Sequence, residues 1–287
     1  MLVFVHINKT AGSTVRYMLR STYGTRHCDV EPWHGAREDP PFSVADLRLL
    51  RRLYPALASI AGHRITGYVD LHEPGADDVS YFTILRDPVK LCASRFQYHV
   101  DHRQKKDLVF EDWIRQEWLR NAQTQRIAGT QRAEDAMEII AKRGMFVGLT
   151  ERFDESMVLL KALRAPDLDI SYSPVNVAKK GTLAASILED PRSLQSLVEA
   201  NEADIALYEY VSNELYPGFR REYGPGLEDA VGEYRGAARK TFNRRNLTLS
   251  RVKRHGLYRP TLWLYRERRT RRAVERLLDG SQVASSR

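Results

Sequence analysis

The chain has 287 residues, a formal net charge of +8 and two cysteines. This length suits one large α/β domain with an appendage. Cys28 and Cys92 are too few for a disulfide scaffold and suit a reducing compartment. No apolar run is long enough to span a bilayer, and the first residues already read as a strand, so we expect a cytoplasmic protein.

The first predicted element is a buried strand that leads into a tight turn and a helix. Residues 2–7 are an apolar run rich in β-branched residues, and a helical repeat begins at Ser13. Strand, turn and helix N-terminus together direct backbone N–H groups and a positive dipole end at one point, which is typical of a phosphate site. The predicted phosphate contacts are Lys9, Thr10, Ala11, Gly12, Ser13 and Thr14. The alternative is an ordinary strand-to-helix turn with a surface lysine.

The order of residues in this loop differs from that of a familiar phosphate loop, the Walker loop. A nucleotide triphosphatase has Gly-x-x-x-x-Gly-Lys-Ser/Thr, in which the lysine follows the glycines. Here Lys9 precedes Gly12. The sequence therefore predicts a phosphate loop that is not a Walker loop.

Two shorter signals follow. Ser43-Val-Ala-Asp46 resembles a capping box that opens a helix. Residues 65–69 are predicted to form a short strand, and His72 lies in the loop after it. A histidine beside a cleft is the usual general base near neutral pH, so His72 is a candidate, with the carboxylate of Asp70 as the alternative.

A second anion site is predicted where residues 81–85, another apolar strand, end at Arg86. Pro88 suits the first turn of a helix, and that helix carries Ser94. Ligands of open α/β sheets bind beyond the carboxyl ends of the strands. Two such ends with cations and hydroxyls can hold a molecule that has two separated phosphate-type groups. Taken alone, Arg86 and Asp87 also fit a local salt bridge that caps the helix.

The rest of the body continues the alternation of helices and strands. Residues 110–121 are predicted to be an aromatic-rich amphipathic helix, and residues 145–149 a third apolar strand, with Thr150 capping the next helix. His99 and His102 are one helical turn apart, but two imidazoles alone are weak support for a metal site. Strands that alternate with helices of this length predict a mainly parallel sheet with helices on both faces.

The charge changes sharply near the C-terminus. Residues 1–225 contain 29 Lys/Arg and 31 Asp/Glu, whereas residues 226–287 contain 16 and 6. The boundary is Tyr223-Gly-Pro-Gly226, a turn or linker signal. We predict a domain over 1–225 and a basic, mostly helical extension over 226–287. Residues 235–276 could contact an anionic membrane or a polyanion; alternatively, the extension is a solvated helix that Leu262, Trp263 and Leu277 pack on the core.

Several blocks together resemble a known family. His6-Ile-Asn-Lys-Thr-Ala-Gly-Ser13 is similar to the 5′-phosphosulfate loop of sulfotransferases that use 3′-phosphoadenosine 5′-phosphosulfate (PAPS), and Leu85-Arg-Asp-Pro-Val-Lys-Leu-Cys-Ala-Ser94 to their 3′-phosphate motif. The resemblance extends in order through Asn121-Ala-Gln-Thr-Gln-Arg126, Val147-Gly-Leu-Thr-Glu-Arg-Phe153 and Val175-Asn-Val-Ala-Lys-Lys180. It covers about residues 2–215 and is strongest to the branch with the glycosaminoglycan uronyl 2-O-sulfotransferases. The sequence departs from the family at Asn8, where proline is usual, and at Tyr68, where a histidine is common.

This resemblance implies a P-loop-like three-layer α/β fold and PAPS-dependent O-sulfation of a carbohydrate or glycoconjugate. Lys9 would act in catalysis, and His72 would be the base. The donor would be held by the first loop, Arg86, Ser94, Lys179 and Lys180. Neither a metal nor a specific nucleic acid is expected. Two other classes stay open: a P-loop-type nucleotide-dependent phosphotransferase, and a polyanion- or membrane-binding protein that acts through the basic tail.

Overall fold

A five-stranded, all-parallel sheet forms the centre of the protein, with the strand order β2-β3-β1-β4-β5. The computed structural model describes residues 1–30, 40–73, 79–102, 108–172, 182–236 and 242–265. The strands are β1 (Leu2–Val5), β2 (His27–Asp29), β3 (Ser59–Gly62), β4 (Ser80–Leu85) and β5 (Phe146–Leu149). Every residue of β1 is buried, so both faces of the sheet are covered, as parallel sheets require. The predicted α/β class with a mainly parallel sheet is confirmed.

Helices fill the connections between the strands and most of the chain after β5. They are α1 (Gly12–Tyr23), α2 (Val44–Leu53), α3 (Pro88–His102), α4 (Phe110–Ile114), α5 (Ala122–Ala128), α6 (Ala133–Lys142), α7 (Phe153–Leu163), α8 (Thr182–Glu189), α9 (Pro191–Ala200), α10 (Glu202–Tyr210), α11 (Tyr216–Tyr223), α12 (Leu227–Gly236) and α13 (Arg244–Lys253). Short 3₁₀ turns occur at Gly24–Arg26, Glu117–Leu119 and Thr150–Arg152. One π turn, Val211–Leu215, joins α10 to α11, and another, Arg254–Tyr258, follows α13.

Local signals explain the elements that were predicted correctly. The apolar runs became β1, β4 and β5. The capping box is present in full: the Asp46 backbone N–H donates to Ser43 Oγ at 3.2 Å, and the Ser43 N–H donates to Asp46 Oδ2 at 3.0 Å. Pro88 begins α3, as the fixed proline φ favours.

Three predicted elements differ from the structure. Residues 65–69 form no strand, because the turn that follows β3 begins at Gly62, whose carbonyl accepts from the Ile65 N–H. The predicted helix over 110–121 ends early, at Ile114, and a separate 3₁₀ turn follows. Thr150 does not cap α7; its hydroxyl donates to the carbonyl of Leu85 at 2.9 Å and so ties the end of β5 to the end of β4.

The described part of the predicted extension packs on the body. Leu227 and Val231 of α12, together with Tyr258 and Leu262, belong to the main hydrophobic core. Trp263, which was a candidate for packing on the core, is 49% exposed. The boundary at residue 225 stays a prediction. No described helix is both long and apolar enough to cross a membrane.

Candidate anion-binding site

The candidate site lies at the carboxyl edge of the sheet, beside its central strand. From β1 the chain crosses to the outer strand β2, whereas from β4 it crosses the other way to β5. Connections that leave two neighbouring strands in opposite directions open a crevice, which is where α/β proteins bind ligands. His6 follows β1, His63 follows β3 and Arg86 follows β4, so three basic residues line this edge.

The loop after β1 has the backbone of an anion cradle. Lys9 and Ala11 both have positive φ, at 69° and 60°, although neither is glycine. A left-handed residue next to a right-handed one turns successive backbone N–H groups toward a common point. Ala11 occupies the N-cap position of α1, and among the described residues no side chain caps this helix and no acid stands in its first turn. The positive end of α1 is therefore open to an anion.

Gly12 is required by a neighbouring side chain rather than by its own backbone conformation. A Cβ atom on Gly12 would lie 2.0 Å from two atoms of the His6 ring. That ring is buried and stacks on Phe4 and on His63, with centroid distances of 5.4 and 4.2 Å. Burial, followed by the nearby charges of His63 and two arginines, lowers the pKa of His6 well below its ordinary value. A neutral His6 thus forms the floor of the loop.

Lys9 points toward helix α3. Its Nζ lies 4.7 Å from the centroid of the Tyr98 ring, within cation–π range. Burial lowers the pKa of Lys9, the charge of Arg86 lowers it further, and Asp101 opposes the shift. Ser94, Tyr98 and Asp101 follow one another at i, i+4 and i+7, so they share one face of α3. The structure therefore brings Lys9 to the helix face that carries Ser94.

Arg86 joins the two predicted loops. Its Nη1 donates to the carbonyl oxygen of Lys9 at 3.1 Å. The backbone of Arg86 is held by the Gln123 side chain, which accepts from the Arg86 N–H at 3.0 Å and donates to its carbonyl at 2.9 Å. Burial lowers the pKa of Arg86, while Glu151 and Asp87 act in the opposite direction. Because this guanidinium is partly removed from water, an anionic ligand beside it stabilises its charge more than it would stabilise a guanidinium at the surface.

Asp87 caps α3 and does not pair with Arg86, which contacts the first loop at the crevice. Its Oδ1 accepts from the backbone N–H of Lys90 at 2.9 Å, and its own N–H donates to Glu151 at 3.1 Å. The sequence had left open a local Arg86–Asp87 salt bridge. In the structure the arginine contacts the first loop and the aspartate contacts the helix end.

A buried network behind the site fixes Gln123. The two carboxylate oxygens of Asp204 accept from the backbone N–H groups of Gln123 and Thr124, at 3.0 and 2.7 Å. In return, Asn121 Oδ1 accepts from the N–H groups of Ala203 and Asp204. Helices α5 and α10 thus cap each other. No structural role was predicted from the sequence for residues 121–126.

His63 lies closer to the loops than His72 does. It directly follows β3, the neighbour of β1, stacks on His6, and receives a hydrogen bond on its carbonyl oxygen from Arg126. Burial lowers the pKa of Arg126, and nearby Tyr68 opposes that shift. Sequence reasoning found no support for His63, because the strand before it was not recognised.

His72 lies on the surface, with its side chain 45% exposed. Its ring is 6.0 Å from that of Tyr81, the second residue of β4. Arg86 stands five residues after Tyr81, about 16 Å further along the strand direction. Burial raises the pKa of Asp70, but hydrogen bonds from His72 and the Arg143 guanidinium outweigh it and hold the pKa at about 2. A carboxylate with that pKa is a weak base at neutral pH.

The remaining candidates fall outside this geometry. Lys179 and Lys180 lie outside the described residues. No cluster of three or more potential metal ligands occurs in the described part of the chain. His99 has a packing role, since its Nδ1 accepts from the indole N–H of Trp113 at 2.8 Å.

No protein-family model matches this sequence, and comparison with curated proteins finds no match. The relation to PAPS-dependent sulfotransferases is therefore a resemblance of motifs.

Proposed function

We propose that this protein transfers a sulfuryl group from PAPS to a hydroxyl of a carbohydrate or glycoconjugate. The observation that carries the proposal is the junction of the two loops: Arg86 donates to the Lys9 carbonyl across the crevice between β1 and β4. Each loop brings a half-buried cation to the same ligand-binding edge. A donor with one 5′-phosphosulfate and one 3′-phosphate matches two such positions.

The reaction needs charge stabilisation more than covalent chemistry. The acceptor oxygen attacks sulfur, the bond from sulfur to the bridging phosphate oxygen breaks, and the acceptor proton passes to a base. Negative charge grows on the departing phosphate, as in phosphoryl transfer. Lys9 and the open N-terminus of α1 are the groups that would stabilise it. The proposal needs no metal, because these groups supply the positive charge.

For the base, the geometry favours His63 over His72. His63 stands at the carboxyl end of a strand that pairs with β1, whereas His72 contacts the start of β4. A general base must come within hydrogen-bond reach of the acceptor hydroxyl, directly or through one water. We therefore propose that His63 accepts the proton of the acceptor hydroxyl, and we use a variant of His72 for comparison.

The phosphotransferase alternative calls for an aspartate that holds magnesium at the end of a strand. β2 does end in Asp29, but this carboxylate is buried and pairs with Arg16 and Arg20 at 2.8 and 2.5 Å. Two guanidinium groups already neutralise it. This arrangement disfavours magnesium-dependent phosphoryl transfer.

The acceptor class rests on the motif resemblance, and the proposed cytoplasmic location rests on the cysteines. Cys28 and Cys92 are free and buried, which suits a reducing compartment.

Calorimetry with 3′-phosphoadenosine 5′-phosphate and with ATP tests the proposal. The bisphosphate should bind at least about tenfold more tightly, since a charge-assisted contact to the 3′-phosphate contributes about 1.5–3 kcal/mol. Lys142→Ala removes an exposed lysine on α6 and serves as the control for variants of Lys9 and Arg86. It should bind the bisphosphate normally. Preference for ATP would favour the phosphotransferase, and binding of neither nucleotide would favour a protein that acts through its basic tail. Transfer of labelled sulfate from PAPS to a panel of polysaccharides then identifies the acceptor.

A further inference from the structure

The C-terminal helix, which we define as residues 244–265, exposes apolar side chains along its outer face. It comprises α13, the π turn after it and a helical segment over 259–265. Val252 is 62% exposed, Leu264 50% and Trp263 49%, and Leu249, Leu257 and Tyr265 are exposed to 40–45%. At 1.5 Å per residue the helix is about 33 Å long. Exposed apolar side chains on one continuous helix are a mark of an interaction surface.

This helix is also strongly basic. Residues 244–265 contain six Lys/Arg and no Asp/Glu. Two of the cations face inward: Lys253 donates to the carbonyl of Thr25, and Arg254 to that of Asp29. Arg244, Arg245 and Arg251 are exposed beside the apolar residues. The outer face therefore combines positive charge with aliphatic and aromatic side chains.

The helix is fixed to the body by its inner face. The Asn246 amide donates to the Ser21 carbonyl at 2.7 Å, and the Asn243 N–H donates to Ser21 Oγ at 2.7 Å. Tyr258 and Leu262 are buried in the main core. The outer face thus belongs to a helix that is already folded and docked, which removes most of the ordering entropy of binding.

We propose that the outer face of the C-terminal helix binds the surface of an anionic phospholipid membrane. The arginines complement acidic headgroups, and each contributes about fivefold to partitioning near such a surface. Trp263 and Tyr265 suit the interfacial region, while Val252 and Leu264 would enter the acyl boundary. A soluble polyanion would use the arginines but would leave the aliphatic side chains in water. The combination favours a lipid surface, independently of the proposed sulfuryl transfer.

Vesicle flotation of the full chain tests this proposal. We expect binding to vesicles of equal parts phosphatidylcholine and phosphatidylglycerol, and little binding to phosphatidylcholine alone. Val252→Glu with Trp263→Glu should weaken partitioning by roughly tenfold or more. The control is Val198→Glu on α9, which replaces a 41% exposed valine elsewhere on the surface with an acidic residue. It should leave binding within about twofold of the parent chain.

A charge variant keeps the test valid if the double variant folds poorly. Arg245→Glu with Arg251→Glu leaves the apolar residues in place and should reduce binding to acidic vesicles by a similar factor. Three results would overturn the proposal: no flotation of the parent chain, equal loss in the Val198→Glu control, or binding to heparin without binding to vesicles. Self-association that Val252→Glu abolishes, without any flotation of the parent chain, would assign the face to a second copy of this protein.

Discussion

Substitution of Gly12 by alanine tests the architecture of the first loop most directly. The added Cβ would lie 2.0 Å from the His6 ring, and the ring cannot retreat easily because Phe4 and His63 stack against it. Gly12 does not have a positive φ, so the backbone itself accepts alanine. In an open helix the exchange would stabilise the protein by up to about 1 kcal/mol. The clash should instead destabilise it by about 1–3 kcal/mol, the usual range for an overpacked core.

The assay is urea unfolding, with binding of 3′-phosphoadenosine 5′-phosphate measured in parallel. Gly232→Ala in α12 is the matched control, because a Cβ there meets no atom within 4 Å. It should raise the free energy of unfolding by a few tenths to about 1 kcal/mol. We expect Gly12→Ala to lose both stability and nucleotide affinity, since the displaced ring disturbs the loop.

A double-mutant cycle isolates the cause. If the His6 ring is the obstacle, His6→Ala should make Gly12→Ala tolerable, with a coupling free energy of about 1–3 kcal/mol between the two changes. Simple additivity of the two losses, or a Gly12→Ala protein as stable as the parent, would refute the reasoning about this loop.

Four further predictions concern charge. Lys9→Ala should lower turnover with PAPS far more than affinity for 3′-phosphoadenosine 5′-phosphate, because the extra charge forms in the transition state; near-normal turnover would show that the loop is misassigned. Arg86→Ala should reduce affinity for the bisphosphate by tenfold to a hundredfold, or about 1.5–3 kcal/mol, and affinity for adenosine 5′-phosphate much less, whereas equal losses would mean that Arg86 only braces the loop. His63→Ala should cut turnover by roughly two to four powers of ten and keep the nucleotide affinity, whereas His72→Ala should change turnover little. The opposite result, a large loss only in His72→Ala, would identify His72 as the base. Burial raises the pKa of Asp29, but its His and Arg partners outweigh burial and hold that pKa well below its ordinary value. Asp29→Asn should therefore lower the free energy of unfolding at neutral pH by about 3–5 kcal/mol. The difference from the parent should shrink as the pH falls below about 4 and through the depressed pKa, and a difference that does not change with pH would contradict this account.

The sequence predicted the strands whose signal is local. β1, β4 and β5 are apolar runs bounded by turns, so their position could be read directly. β2 and β3 could not. β2 consists of His27, Cys28 and Asp29, and its polar members are buried only because they bind partners on α1 and β3. β3 ends in Gly62, where a Cβ would lie 1.7 Å from the Val30 carbonyl oxygen, so small residues stand where an apolar pattern was sought.

The same distinction applies to the site. Lys9 and Arg86 each follow a recognisable strand, so both were predicted from neighbouring residues. The groups that hold Arg86 are distant in sequence: Gln123 bonds to its backbone across 37 positions, and Asp204 bonds to the backbone of Gln123 across 81. A local sequence pattern does not predict such a hydrogen bond. His63 was missed for a related reason, since its importance depends on β3 pairing with β1.

The mutual capping of α5 and α10 has a consequence for the order of assembly during synthesis. A nascent chain that has emerged through β5 already contains all five strands, Lys9 and Arg86. It lacks Asp204, whose carboxylate accepts from the backbone N–H of Gln123, the residue that holds the backbone of Arg86. We therefore expect the crevice to become competent only after α10 has been added. Ribosome-bound fragments that end near residue 170 should contain the sheet but fail to retain nucleotide, and retention should begin only once α10 has left the exit tunnel.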